Sequence, residues 1–378
     1  MHYADGFQLS MVVKMKTMTR RERLARSYFN QEVDRPAVYS RTGFPEDDPS
    51  YDRLKAYLEA HSELKTKWSG RQFESSYPVE RLIKPHSEDF ERWIEILHTP
   101  AGHLQRSSFV SLKGQPGLQR TFLISCREDA QKYLSLGFPE LGGDTSSFFA
   151  ARADVGEKGI VDVDLGFNPG GFVVELCGSE SFAVMSITDR DVLHSLCERQ
   201  MALMLRRVKF LLDAGIGPFF SMLGEEYIVP PLHGPKDFDD FNVKYDKPII
   251  DLIHSAGGRV HIHSHGSVKR VFQQFVAMGV DVLHPFEPPP QGNILAREAK
   301  AFARDKTCLE GNIQIHRMYE NTPQEIREET EQLIADAFDD DKGLIVCPTA
   351  SPYIRGAGEV CFPQYKAMID TVLAFNGG

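Results

Sequence analysis

From about residue 119 to the C-terminus, short apolar runs alternate with long amphipathic stretches. Residues 121–125, 160–164, 218–223, 259–263, 280–284, 307–310 and 344–347 have the length and composition of buried strands. Between them, helical patterns over 189–214, 235–256 and 267–278 stop at Gly215, Gly257-Gly258 and Gly279. Glycine there supplies the left-handed conformation that ends a helix. Thr322-Pro-Gln-Glu325 opens a further helix with a capping box and a proline in the first turn. Strand, helix, glycine, strand, repeated in this way, predicts parallel β/α units. A doubly wound sheet shares that pattern, but its dinucleotide form needs GxGxxG after an early strand. Neither that sequence nor a Walker A motif occurs. The expected fold is α/β, a (β/α)8 TIM barrel.

Before residue 119 the periodicity weakens. Thr19-Arg-Arg-Glu22 opens a first helix with a capping box, running to about Asn30. Residues 31–118 are rich in Pro, Gly, Ser and charge, and predict loops with short helices around 54–64 and 88–97. No tandem repeat or low-complexity linker divides the chain. Residues 1–378 are therefore expected to form one domain, with 1–118 an N-terminal extension of short helices and loops and 119–378 carrying most of the β/α units.

Charge narrows the partners. Lys and Arg number 43 against 53 Asp and Glu, a net charge of −10, which argues against nucleic acid and anionic membranes as general partners. The six cysteines include no CxxC pair and are scattered along a long chain, which suits reduced thiols in a cytoplasmic protein. Residues 8–14 are too short and too soon charged for the apolar region of a signal peptide. No run approaches the ~20 apolar residues of a membrane helix. Pairing into a homodimer is left open by the sequence.

In such a barrel the reacting groups sit just past the C-terminal ends of the strands. Those places hold Asp164, Glu225 with Glu226, His263 with His265, Glu287, Asn312 and Cys347. Each has a plain alternative: Asp164 can cap a turn, and either glutamate can be solvated. The sharpest pattern is His261-Ile-His263-Ser-His265-Gly266. Alternate side chains of a strand share a face, so the three imidazoles are expected to point the same way. Neutral imidazoles gathered so tightly suit a transition metal. The competing reading is one hydrogen-bonded core histidine and two exposed ones, with His261, deepest in the strand, best suited to a structural role. Cys347 closes the run Gly343-Leu-Ile-Val-Cys347, and is either a thiolate ligand or an inert buried thiol. Glu287 lies in His284-Pro-Phe-Glu-Pro-Pro-Pro290, a stiff loop that either positions a functional carboxylate or merely braces itself.

Arg20-Arg-Glu-Arg23 followed by Glu32-Val-Asp-Arg-Pro-Ala37 resembles the N-terminal signature of the uroporphyrinogen decarboxylase superfamily. Leu211-Leu-Asp-Ala-Gly215, His263-x-His265-Gly266, Gly279-Val-Asp-Val-Leu283 and Gly311-Asn-Ile313 resemble its later motifs in order and spacing, so the likeness spans about residues 20–373. The resemblance implies a (β/α)8 barrel and two branches of function. One is a decarboxylase that needs no cofactor. The other is a group of methyltransferases working with a corrinoid protein, using zinc held by a His-x-Cys-Gly motif and a later cysteine. Here histidine, His265, stands in place of the first cysteine, and Ala350 of Cys347-Pro-Thr-Ala350 stands where the second aligns. The decarboxylase signature carries two arginines around a glycine. This chain has Arg41-Thr-Gly43 and then Glu46-Asp-Asp48, which puts acid where a polycarboxylate wants cations.

On that resemblance the expected activity is a metal-dependent methyl transfer, of the demethylase type, between a small methylated substrate and a separate corrinoid protein or other acceptor. Zn2+ is the implied metal. His263 and His265 are the expected ligands, with Glu287 and Cys347 competing for the rest. Glu225 is the expected acid/base, and Asn312, Arg41 and Asp164 the substrate-binding groups. A cofactor-free decarboxylase and a non-catalytic ligand-binding barrel are the alternatives.

Overall fold

The computed structural model describes residues 17–113 and 117–375. Residues 8–14, weighed above as a targeting signal, lie outside them. The strands in chain order are β1 (Ala37–Val38), β2 (Leu64–Ser69), β3 (Val79–Pro85), β4 (Phe90–Thr99), β5 (Gly102–Ser111) and β6 (Leu118–Thr121). They continue with β7 (Gly159–Phe167), β8 (Phe219–Leu223), β9 (Arg259–Ser264), β10 (Val282–Pro285), β11 (Cys308–Ile313) and β12 (Leu344–Pro348).

Eight of them form one parallel sheet in the order β1-β12-β11-β10-β9-β8-β7-β2. The sheet curls until its two edge strands meet at Glu63. The Glu63 N–H donates to Val38 O at 2.9 Å, and its Oε2 accepts from the Val38 N–H at 2.7 Å. Arg23 and Arg35 hold the same buried carboxylate at 2.7 and 2.9 Å. One side chain therefore clips the seam of the barrel.

Strand parity decides what lies inside and outside. On β9, Val260 and Ile262 turn outward into the large core shared with the surrounding helices, beside Phe275 and Ile250. His261 and His263 turn inward. The floor of the barrel is apolar: Ile160, Phe219, Val282, Cys308 and Ile345 pack under Leu24 and Tyr28 of the first helix, Arg20–Tyr28. Above that floor the lining becomes polar. TIM barrels are ordinarily filled there by branched aliphatics.

β7 to β12 fall within three residues of the expected strands. Thr322 caps the helix Pro323–Ala337 in a full capping box, and Gly279 ends Phe272–Met278 in the left-handed region, φ 93°. The region before residue 119 differs from expectation. It holds the first two barrel strands and an antiparallel sheet, β3-β4-β5-β6, which leaves the C-terminal end of β2 as part of the connection to β7. Residues 88–97 were expected to hold a short helix. Residues 90–97 lie instead in β4, paired along its length with β5. Aromatic and β-branched residues that pair across strands outweigh an ambiguous period. Residues 121–125 are not a barrel strand; β6 ends at Thr121. Among the described residues no single helix is long and apolar enough to cross a membrane.

Candidate active site and metal centre

The polar part of the barrel encloses a cavity of about 280 Å³. β2 contributes Lys65 and Lys67, β7 Asp162 and Asp164, β9 His261 and His263. Glu310 comes from β11, and Arg41 from the segment after β1. Deep in it, Lys65 pairs with Glu310 across the barrel, and both are buried. Tyr28 and Tyr39 place their rings 5.2 and 4.6 Å from the lysine ammonium, which softens the cost of burying that charge. Burial acts most strongly, to raise the Glu310 carboxyl, but Lys65, His261 and His284 together outweigh it and hold the group well below its usual range. Asp162 forms no ion pair among the described residues; burial pushes its carboxyl up against the pull of His261 and Lys65, and Oδ1 makes no hydrogen bond.

Higher up, His263 joins two elements. Its Nδ1 lies 2.7 Å from Arg41 and 2.8 Å from His284 Nδ1 on the neighbouring strand. Burial, and after it the Arg41 charge, keeps His263 well below the usual imidazole range. Burial and then His263 do the same to His284. Both rings are therefore neutral near pH 7, and their hydrogens can be placed. Arg41 only donates, so His263 Nδ1 accepts. His284 Nδ1 must then carry the hydrogen it shares with His263. That leaves His284 Nε2 with a bare lone pair, facing Pro348 O at 3.2 Å and Cys347 Sγ at 3.8 Å. The one thiol hydrogen is used on the nearer Pro348 O, at 3.2 Å. Burial holds the Cys347 thiol well up, so it is protonated. One atom each from His284, Glu310 and Cys347 lies within 4.8 Å of the other two, and all three residues are buried.

A family model, that of uroporphyrinogen decarboxylase, matches residues 173–351. Over that span the chain is similar to the uroporphyrinogen decarboxylase family. The matched span carries β8 to β12 with their histidines, Glu310 and Cys347, and leaves out Arg41, Lys65 and Lys67. Among solved structures, a methyltransferase from Methanosarcina mazei superposes with a TM-score of 0.59 at 14% identity, covering 94% of this chain and 98% of that one. At that identity the likeness concerns the fold. A B12-independent methionine synthase from Shewanella sp. W3-18-1 matches more loosely, with a TM-score of 0.45 at 12% identity over 63% of this chain and 70% of that one. No curated protein matches the chain by sequence.

Within the barrel the expected metal ligands fall into two groups. His263 is tied to Arg41 and His284. His265 lies beyond the end of β9, pairs with Glu287 at 3.1 Å, and stands edge-on to His263 with ring centroids 4.6 Å apart. Glu287 also accepts from the Gly266 N–H at 3.0 Å. Burial would raise its carboxyl, but His265 and Gly266 hold it down. Cys347 lies with His284, Sγ to Nε2 3.8 Å. Zinc's usual donor types are thus present, but the structure gathers them around His284, not around the His-x-His motif.

The other expected residues are also divided. Arg41 and Asp164 line the cavity, and Asp164 accepts from Arg71 at 3.3 Å and the Gly166 N–H at 2.9 Å, with Lys67 3.4 Å away. Asn312 is buried and donates to Phe286 O at 3.3 Å, bracing the loop that carries Glu287. Glu225 is sealed behind the barrel with both oxygens unpartnered. Burial, and then the Asp246 charge, pushes its carboxyl well up. Its neighbour Glu226 stands nearer the mouth and feels His265 and Arg41. Asp48 accepts from the Ser50 and Gly356 N–H groups at 3.0 and 2.7 Å and braces a loop; it is not among the residues lining the cavity. Lys65, Lys67, Asp162, His284 and Glu310 escaped the sequence reading. For His284 and Glu310 the signal was there: both stand at inward positions of recognised strands.

Proposed function

We propose that the chain is a metal-dependent methyltransferase, moving a methyl group between a small methylated substrate and a corrinoid carried by a separate protein. What carries the reading is the gathering of two neutral imidazoles, a thiol and a carboxylate at the catalytic end of the barrel, beside an otherwise unneutralised guanidinium. That guanidinium, Arg41, has His263 as its neighbour and no carboxylate partner among the described residues. Its free donors suit an anionic group on the substrate. Lys67 and Asp164 offer a second, polar end to the cavity. A metal ion held by this donor set supplies Lewis acidity, stabilising the deprotonated thiol, amine or phenol that gives or takes the methyl group. Glu226, raised by burial, is better placed than Glu225 to hold a proton at the mouth.

The test is anaerobic. Zinc-loaded protein is mixed with methylcobalamin and a panel of small thiols, and the corrinoid spectrum is followed. Thiol-dependent demethylation that a chelator abolishes is the expected result. Decarboxylation of uroporphyrinogen III by metal-free protein, without corrinoid turnover, overturns the proposal in favour of the decarboxylase reading. Of the acids in Glu46-Asp-Asp48, Asp48 is committed to its loop, so the repulsion expected there falls to Glu46 and Asp47.

A further inference from the structure

We propose that the metal ion sits between β10, β11 and β12, held by His284, Glu310 and Cys347, and not by the His263-x-His265 pair. This rests on the reading above that the protein uses a metal ion, and goes on to say where.

Two observations carry it. The first is spacing. Zinc bonds of about 2.0 Å to nitrogen and 2.3 Å to sulfur, at a tetrahedral angle, put the two donor atoms about 3.5 Å apart. His284 Nε2 and Cys347 Sγ stand 3.8 Å apart, and a Glu310 oxygen, Cys347 Sγ and a ring nitrogen of His284 all lie within 4.8 Å of one another. Closing the set takes shifts well within side-chain freedom. The second is enclosure and orientation. All three residues are buried and stand on neighbouring strands of one parallel sheet. His284 Nδ1 is taken up by His263 at 2.8 Å, so Nε2 is the nitrogen turned towards Cys347 Sγ.

The surroundings fit this assignment. A ligating histidine ordinarily gives its second N–H to a fixed acceptor; for His284 that acceptor is His263, itself held by Arg41. Glu310 and the thiolate form of Cys347 bring two negative charges to a divalent ion, with the Lys65 ammonium on the same carboxylate. Three protein ligands leave a fourth position, as catalytic zinc sites do, and Glu310 lines the cavity. One sulfur, one nitrogen and one oxygen donor select zinc or a similar transition ion over magnesium or calcium. The His265–Glu287 pair, with His265 over one-third exposed, stays at the mouth.

The experiment is Co(II) titration of the purified full chain, with zinc X-ray absorption on the wild type. We expect one ion per chain, a thiolate-to-cobalt charge-transfer band, and one sulfur at about 2.3 Å from zinc. Cys347→Ser should lose the band, and Cys347→Ser and His284→Asn should each weaken binding by more than about 100-fold, beyond what an outer partner contributes. His265→Ala should keep the band. The absorption measurement needs no variant, so misfolding of any of these cannot mask the answer. An ion bound with only nitrogen and oxygen neighbours, or lost on His265→Ala but not on Cys347→Ser, overturns this assignment while leaving a metal-dependent methyltransferase standing. Failure to bind any ion overturns both.

Discussion

Replacing Lys65 by Met leaves the Glu310 carboxylate buried without its counter-charge, between His261 and His284. At a separation of roughly 3 Å and an effective dielectric near 20, the pair attracts by about 5 kcal/mol. Removing one partner of a buried pair ordinarily costs about 3–5 kcal/mol. Unfolding entropy of about 2.1 cal/mol/K per residue gives about 0.8 kcal/mol/K for a cooperative chain of this length. The melting temperature should therefore fall by about 4–6 °C. Glu310→Gln should cost a similar amount, and the double variant much less than the two together. Thermal and urea unfolding of the four proteins gives the coupling energy directly. The pH dependence has a definite sign. Because the folded Glu310 carboxyl is held well below its usual range, the pair's contribution is complete above the ordinary carboxylate pKa, and is lost as pH falls through the folded value. Lys65→Met should flatten that acid limb. Losses that add within about 0.5 kcal/mol would show that the two charges act independently and that the barrel interior is not organised as described.

Two further expectations concern the neighbouring groups. Glu225 has its folded pKa raised by burial and then by Asp246, so it costs the folded state increasingly as pH rises from the ordinary carboxylate pKa towards the folded one. Glu225→Gln should gain on the wild type between pH 4 and pH 8 in denaturant titrations, and an equal gap at both pH values refutes the assignment. For Arg41→Met, the His263 pKa should rise, since the Arg41 charge adds to burial in holding it down; imidazole resonances followed by NMR through a pH titration that do not move would contradict the contact.

The β/α pattern was legible wherever strands were apolar and helices ended at glycine, which is why β7 to β12 were readable. β2 was not. Leu64-Lys-Thr-Lys-Trp-Ser69 places lysine at alternate positions, a pattern that ordinarily means a solvent-facing side, whereas here the lysines face the inside of the barrel. β1 is too short to leave a period at all. The same logic divides the site. His263, His265, Glu287 and Cys347 stood out as strand-end or loop residues, and the expectation that chemistry lies past the strands drew attention there. Glu310 and His284 each closed an expected strand, 307–310 and 280–284, and neither was singled out. Which of these donors face one another depends on register between neighbouring strands, such as His263 opposite His284 and Asn312 opposite Cys347. That information is spread over four β/α units and is not present in any local window.

The seam clipped by Glu63 also bears on how the molecule comes to be made. β1 pairs with β12 in a register that sets Ala37 opposite Ile345, and β2 pairs with β7. A chain emerging from the ribosome therefore exposes its first strand long before the partner for that strand has been synthesised. The Arg23–Glu63–Arg35 cluster is local in sequence by comparison. It can hold β1 and the start of β2 together as a small charged unit during the wait. Distant pairings are slow to form and leave strand edges open to other chains. Weakening the clip should accordingly show first in the yield of protein folded in the cell, before any loss in the finished barrel.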